Sequence, residues 1–208
     1  MEATTRLNSG LVGLVSLAMW IIYGQLCGAG YWLTAGLVGL AFAIAIVAEE
    51  YRHHAVKLMN STSVGYFLLE MMIVLIAGPA FMQRYHLPIV WGVFAIVAAV
   101  TLVNGAPFTM EYTREQTAPD LWNSPTFYRM NLHLTIVWTL IFAIGTVLGA
   151  ITIVAGHVMA LGVVIPTAGM VIGFIFGSQY PKRFAAQFEA ESHSHHNSSE
   201  TLRKAARP

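Results

Sequence analysis

Residues 132–155, LHLTIVWTLIFAIGTVLGAITIVA, decide the fold of this chain. The stretch has 24 residues and contains no Asp, Glu, Lys or Arg. A helix crosses the hydrocarbon core of a membrane with about 20 mostly apolar residues, whereas a shorter apolar run is more typical of a buried helix in a soluble protein. The stretch therefore predicts a transmembrane helix.

Five further apolar stretches of suitable length flank this one. They lie at about residues 11–26, 31–48, 64–82, 88–104 and 158–177. The composition agrees, because 56% of the 208 residues are hydrophobic and only 10% are charged, against roughly 25% charged in a soluble domain. We predict an all-α polytopic membrane protein in which residues 1–180 form a six-helix bundle and residues 181–208 a polar, disordered tail. A soluble enzyme and an intrinsically disordered chain are excluded.

The positive charges predict the orientation of the bundle, because Lys and Arg concentrate in cytoplasmic loops. With six spans, ten of the 11 Lys and Arg residues fall on the side that holds both termini, and only Arg84 falls on the other. We therefore predict cytoplasmic termini and a bacterial inner (plasma) membrane. The predicted outer connections, at 27–30, 83–87 and 156–157, are too short to form an external domain.

Glu70 is a candidate functional residue because it lies within the predicted third span. A carboxylate in hydrocarbon costs several kcal/mol unless it is paired, protonated or in contact with water. The residue is either a proton or cation site, or it makes a structural contact or reaches the cytoplasmic interface. We expect its carboxylate to point into the bundle and to meet His133 or Asn131 first.

The connection between the fourth and fifth spans, residues 105–131, carries charged and aromatic side chains. Within it, residues 109–116 are predicted to be helical, and the next helix begins at Asp120 or at Ser124-Pro125. Its polar groups could bind a cation, a proton or a lipid headgroup, could close over a ligand, or could hold the bundle together by hydrogen bonds. The candidate binding residues are Glu70, Asn104, Glu111, Arg114, Arg129, Asn131 and His133.

Glycines recur at four-residue spacing in the last two predicted spans. Gly145 and Gly149 lie in the fifth span, and Gly169, Gly173 and Gly177 lie in the sixth. Glycine at this spacing lets two helices approach closely. The pattern indicates either packing within one bundle or a homo-oligomer seam along the sixth span.

Sequence signatures of known chemistry are missing. The chain has no HExxH, GxSxG, Walker A or GxGxxG motif, and its single cysteine excludes a disulfide or a multi-cysteine metal site within one chain. No convincing pair of histidines faces across the spans to hold a haem. A net charge of +1 does not indicate the basic surface that nucleic-acid binding requires. We predict no catalytic residue, metal or cofactor, with membrane lipid as the partner. Three tail histidines could chelate a metal weakly or belong to the disordered tail: His193, His195 and His196.

The end of the fourth span and the start of the fifth carry a family resemblance. A span ends near Pro107, a polar segment with Pro119 follows, and Phe127 stands four residues before Asn131, followed by Trp138 and Phe142. This order resembles the bacterial intracellular septation protein A family, which consists of small multi-pass inner-membrane proteins linked to cell-envelope maintenance. Phe127 stands where the family has a tryptophan. The family offers no established catalytic residues to carry over.

Three functions remain open at this point. The resemblance implies a non-catalytic inner-membrane protein that acts in envelope maintenance or in a membrane complex. Glu70 favours a small transporter or channel with a polar site near the cytoplasmic face. Arg114 would suit a membrane enzyme that acts on a lipid or quinone at the inner leaflet.

Overall fold

The computed structural model describes residues 9–155 and 164–184. Within these ranges the structure is helical and has no strand, which confirms the all-α prediction. The α-helices are α1 (Ser9–Gly28), α2 (Trp32–Arg52), α3 (Leu58–Ala77), α4 (Pro79–Val103), α5 (Thr109–Thr113), α6 (Pro125–Ala155) and α7 (Ile165–Gln179). Short 3₁₀ helices lie at Arg114–Gln116, Pro119–Leu121 and Tyr180–Phe184.

Four of these helices, α2, α3, α4 and α6, are long and apolar enough to cross a membrane. Their outer surfaces are aliphatic: Ile76 is 80% exposed, Val103 87% and Val154 91%. Such surfaces suit acyl chains better than water. The predicted first and sixth spans fall on α1 and α7, whose described apolar parts are shorter. Residues 156–163, where the sixth span was predicted to begin, and residues 185–208 of the predicted tail lie outside the described ranges.

The turn between the third and fourth predicted spans lies elsewhere than expected. We predicted it at residues 83–87 because that stretch is polar, but these residues are helical and belong to α4. The chain turns instead at Gly78, whose φ of +83° is a conformation that side chains with a Cβ rarely adopt. Pro79 then opens α4 at a position where a missing backbone N–H does no harm. Glycine and proline set this turn, and polarity does not.

The starts of two other helices bear on the site. α6 begins at Pro125, one of the two predicted starts, seven residues before the predicted apolar span at 132. Ser124 is its N-cap, because its hydroxyl accepts a hydrogen bond of 3.1 Å from the backbone N–H of Phe127. α3 begins at Leu58 rather than at residue 64, so Glu70 lies 12 residues into a 20-residue helix. At 1.5 Å per residue this is about 18 Å from the start, near the middle of the helix.

The chain divides into two compact units, which are described separately. The first unit comprises Met1–Val97 and Phe142–Pro166, and the second comprises Ala98–Ile141 and Thr167–Pro208. In the first unit, α1, α2 and α3 enclose an aromatic core around Tyr23, Tyr66 and Phe67. Gly39 of α2 lies directly over the ring of Phe67, where a Cβ would overlap it. The missing side chain therefore lets α2 and α3 approach closely.

The core of the second unit lies at the start of α6. Phe127, Met130 and Leu134 are buried there, at one-turn spacing along one helix face. The aromatic rings of the last described segment pack against them: the rings of Phe176 and Tyr180 stack with their centroids 4.5 Å apart. This cluster holds the 3₁₀ helix Tyr180–Phe184 against α6.

Candidate functional site

Glu70 is completely buried in the first unit, with an exposed fraction of 0%. It lies on α3 where α2 comes close, since a Cβ on Gly36 would stand 3.9 Å from the Glu70 carboxyl carbon. Neither carboxyl oxygen makes a hydrogen bond of full geometry among the described residues, and the Tyr23 hydroxyl is the hydrogen-bonding group that comes near it. A buried, ionisable group with no partner is rare in folded proteins, and each one requires an explanation.

Three weakly acidic groups surround Glu70 and interact with it electrostatically: Tyr23 and Cys27 of α1, and Tyr66 of α3. The hydroxyls of Tyr23 and Tyr66 are hydrogen-bonded at 2.8 Å. Tyr23 and Cys27 are four residues apart, as are Tyr66 and Glu70, so each pair lies on one face of its helix. We call these four residues the Glu70 cluster.

An aromatic shell encloses the Glu70 cluster. The ring of Phe67 lies 5.3 Å from those of Tyr23 and Tyr66, and Trp20 lies 5.4 Å from Phe67, measured between centroids. Phe67 is fully buried. The surroundings are therefore apolar, and charge on Glu70 would be poorly solvated there.

Glu50 is a second buried carboxylate in the same unit, and its situation is the opposite. It is also 0% exposed, but it accepts hydrogen bonds from the side chain of Asn60 at 2.6 Å and from the backbone N–H of Lys57 at 3.1 Å. The ammonium of Lys57 lies 3.8 Å away and is itself only 6% exposed. Glu50 thus joins the end of α2 to the start of α3. Sequence reasoning missed this role.

Asn131, one of the partners expected for Glu70, is fully buried in the second unit, where both polar atoms of its amide are hydrogen-bonded. Its Nδ2 donates to the carbonyl of Phe127 at 2.9 Å, and its Oδ1 accepts from Thr113 at 2.8 Å. The hydroxyl of Thr109 donates to the Asn131 backbone carbonyl and lies 2.9 Å from the hydroxyl of Thr135. Asn131 therefore fastens α5 to α6, which is the hydrogen-bonding alternative considered above.

The remaining candidates of the connecting loop lie nearer the surface. His133 is exposed and its Nδ1 lies 2.6 Å from the hydroxyl of Tyr180, so it has its own partner inside the second unit. Arg114 is exposed, with its guanidinium carbon 5.5 Å from the ring centroid of Trp122. Asn104 and Arg129 are exposed, and Glu111 is half-buried. Their binding roles stay predictions.

The recurring glycines mostly serve packing within the chain. A Cβ on Gly145 would meet the Trp91 ring at 2.7 Å, and one on Gly149 would meet the backbone nitrogen of Pro88 at 2.8 Å. In the second unit, Gly169 and Gly173 face side chains of α6. Around Gly177 there is open space within 4 Å. A seam between two copies stays a prediction.

Sequence reasoning found Glu70 but not its neighbours. Cys27 was assigned to a loop, yet it lies in α1. The four-residue spacings of Tyr23 with Cys27 and of Tyr66 with Glu70 were visible signals that polar groups share a face in apolar helices. The described residues contain no group of three or more His, Cys, Asp or Glu able to hold a metal ion. No protein-family model, curated protein or solved structure matches this chain.

Proposed function

We propose that this chain is a small multi-pass transporter or channel whose cation site is Glu70. The observation that carries the proposal is the contrast between its two buried carboxylates. Glu50 is paired with a cation and hydrogen-bonded, as a structural acid must be, whereas Glu70, in the described part of the chain, has no cation partner and no hydrogen bond of full geometry. An ionisable group kept unsatisfied near the middle of an apolar helix is typical of an ion or proton pathway.

A role as a hydrogen-bonding strut accounts poorly for Glu70, because among the described residues its oxygens make no hydrogen bond of full geometry and only the Tyr23 hydroxyl comes near enough to interact. Its distinguishing property is that its charge can change. Binding a cation or proton there would remove a charge that the aromatic shell solvates poorly. The state of Glu70 would then influence how tightly α1, α2 and α3 pack.

For topology, we propose that α1 and α7 complete a set of six spans in a bacterial inner membrane, with both termini cytoplasmic. The distribution of Lys and Arg supports this. The test uses single cysteines placed by Thr4→Cys, Ala29→Cys and Thr201→Cys in a Cys27→Ser background. A membrane-impermeant maleimide added to intact cells is expected to label the protein only at position 29. Labelling of either terminal position would contradict the topology.

Ion flux in proteoliposomes tests the function. Vesicles with dyes that report internal pH, sodium or potassium are diluted to impose each gradient in turn. Wild-type protein is expected to accelerate the collapse of at least one gradient, and Glu70→Gln to abolish that effect. Glu49→Gln is the matched control, because the Glu49 side chain is 45% exposed. Equal flux in wild-type and Glu70→Gln protein, or no flux of any of the three ions, would contradict the proposal.

A second candidate is the non-catalytic envelope-maintenance role that the septation protein A resemblance implies. The observation that bears on it is that three of the residues in the resemblance, Pro107, Phe127 and Asn131, are fully buried, whereas Pro119 is exposed and Trp138 half-buried. The three buried residues thus act in folding the second unit. Expression of this chain in a bacterium that lacks its own septation protein A tests the idea, with envelope integrity as the readout. Failure to restore it would exclude this role.

A further inference from the structure

We infer that the Glu70 cluster takes a proton and no metal cation, so that Glu70 is a neutral carboxylic acid when its ligand is bound. This inference rests on the proposed function, since it names the ligand of the same site. It is argued from the groups that face Glu70, from the oxygen atoms within its surroundings, and from the space around its carboxyl group.

No cation faces Glu70 from the helices described around it. α1 contributes Tyr23 and Cys27, and α3 contributes Tyr66, all of which are weak acids. α2 contributes Gly36, which has no side chain. An ionised Glu70 would be an unbalanced buried charge, which proteins avoid by pairing or by neutralisation. Without a paired cation, a proton on the carboxyl group is what remains.

The oxygen atoms near Glu70 are too few for a metal cation. Hard cations such as Ca²⁺ and Mg²⁺ are held by six or more oxygen ligands. The Glu70 cluster offers two carboxyl oxygens and the hydroxyls of Tyr23 and Tyr66, which already bond to each other. Intramembrane sodium sites in transporters gain ligands from unwound helices, where backbone carbonyls are released. α3 is continuous from Leu58 to Ala77, so its carbonyls around Glu70 remain in helical hydrogen bonds.

The space around the carboxyl group is also restricted. A Cβ on Gly36 would stand 2.9 Å from the Cγ of Met71 and 3.9 Å from the carboxyl carbon of Glu70. α2 and α3 therefore touch at this level through a glycine. A proton adds no volume to this contact, whereas a metal ion with its ligand shell would force the helices apart.

Dicyclohexylcarbodiimide provides the test, because this apolar reagent modifies protonated carboxyl groups. The acid proton passes to one carbodiimide nitrogen as a carboxyl oxygen bonds to the central carbon. Acyl transfer to nitrogen then gives a stable N-acylurea that retains all atoms of both reactants. Wild-type protein in lipid vesicles is treated across a pH series, and peptide mass spectrometry locates the adduct. Glu50 is an internal control of equal burial, with the Lys57 ammonium 3.8 Å from its carboxylate.

We expect the adduct on Glu70 and not on Glu50. Labelling of Glu70 is expected to fall with rising pH, by about tenfold per pH unit once most of the acid is ionised. Sodium, potassium and calcium chloride at constant pH are expected to leave the rate unchanged. An unlabelled Glu70 at every pH, or protection by one of these salts, would overturn the inference. The flux assay tests the proposed function independently of this labelling. If labelling is as expected but Glu70→Gln transports ions like wild type, the proposed function is wrong and the proton site stands.

Discussion

Replacing each buried carboxylate by leucine is expected to affect the stability of this protein differently: the Glu50 replacement lowers it and the Glu70 replacement does not. Glu50 and Glu70 are both 0% exposed and lie in the same unit. Leucine is close in size to glutamate but has no polar atoms. The two variants therefore differ mainly in what the removed carboxylate was bonded to.

Glu50→Leu is expected to destabilise the protein strongly. It removes the acceptor of Asn60 and of the Lys57 backbone N–H, and it leaves the Lys57 ammonium, 6% exposed, without this carboxylate. Breaking a buried ion pair by removing one partner costs about 3–5 kcal/mol. For a chain of this length, that corresponds to a decrease in Tm on the order of 10 °C.

Glu70→Leu is expected to leave stability unchanged or to raise it. Its two oxygens make no hydrogen bond of full geometry in the described residues, so at most the contact with Tyr23 is lost. A buried polar group without a partner costs about 1–3 kcal/mol, and leucine removes that cost. The gain corresponds to an increase in Tm of up to about 10 °C.

Both variants are compared with wild type in detergent micelles by circular dichroism at 222 nm during heating. Size-exclusion chromatography beforehand checks that each variant is monodisperse. A decrease for Glu70→Leu as large as that for Glu50→Leu would refute the reasoning. It would show that Glu70 has a strong partner in the folded protein.

Three further predictions follow from packing and hydrogen bonding. Gly149→Ala places a methyl group 2.8 Å from a backbone nitrogen of α4. Thermal unfolding should therefore show a decrease of about 2 kcal/mol in the free energy of unfolding. Gly177→Ala, in open space, should increase the free energy of unfolding by up to about 1 kcal/mol. Asn131→Ala removes two side-chain hydrogen bonds and should lower the free energy of unfolding by about 2 kcal/mol in the same assay. Asn123→Ala, at an exposed position, is the control and should change the free energy of unfolding by less than about 0.5 kcal/mol. Cys27 is 8% exposed, so a maleimide should label it only after unfolding in dodecyl sulfate; rapid labelling of the folded protein would contradict the packing of α1.

Hydropathy was sufficient to predict the helical class and the approximate position of most helices, because burial in lipid requires long apolar runs. It failed at the turn between the third and fourth spans. The polar residues 83–87 lie inside α4, and the real turn is set by the backbone of Gly78 and Pro79. A polar residue can remain in a helix when it faces another polar group or the interface, whereas a positive φ cannot be accommodated within a helix.

The candidate site was predictable only in part. The cost of burying a carboxylate identified Glu70 from its position alone. Its partners could not be deduced, because Tyr23 and Tyr66 are 43 residues apart and meet only through helix packing. Asn131 and His133 were expected beside Glu70 because they are polar and near in the span order. Their hydrogen-bonding capacity is used within the second unit, by Phe127, Thr113 and Tyr180.

The two buried carboxylates separate what the fold needs from what the function needs. Glu50 has every partner that a buried carboxylate requires, so its charge contributes to folding and has no reason to change. Glu70 makes no hydrogen bond of full geometry in the described residues, and an apolar residue in its place is expected to fold at least as well. A residue that costs stability where the fold gains little is typical of a functional site. The described groups that act on Glu70 are the weak acids Tyr23, Cys27 and Tyr66, so uptake and release of a proton is the property that the proposed function requires and that leucine cannot supply.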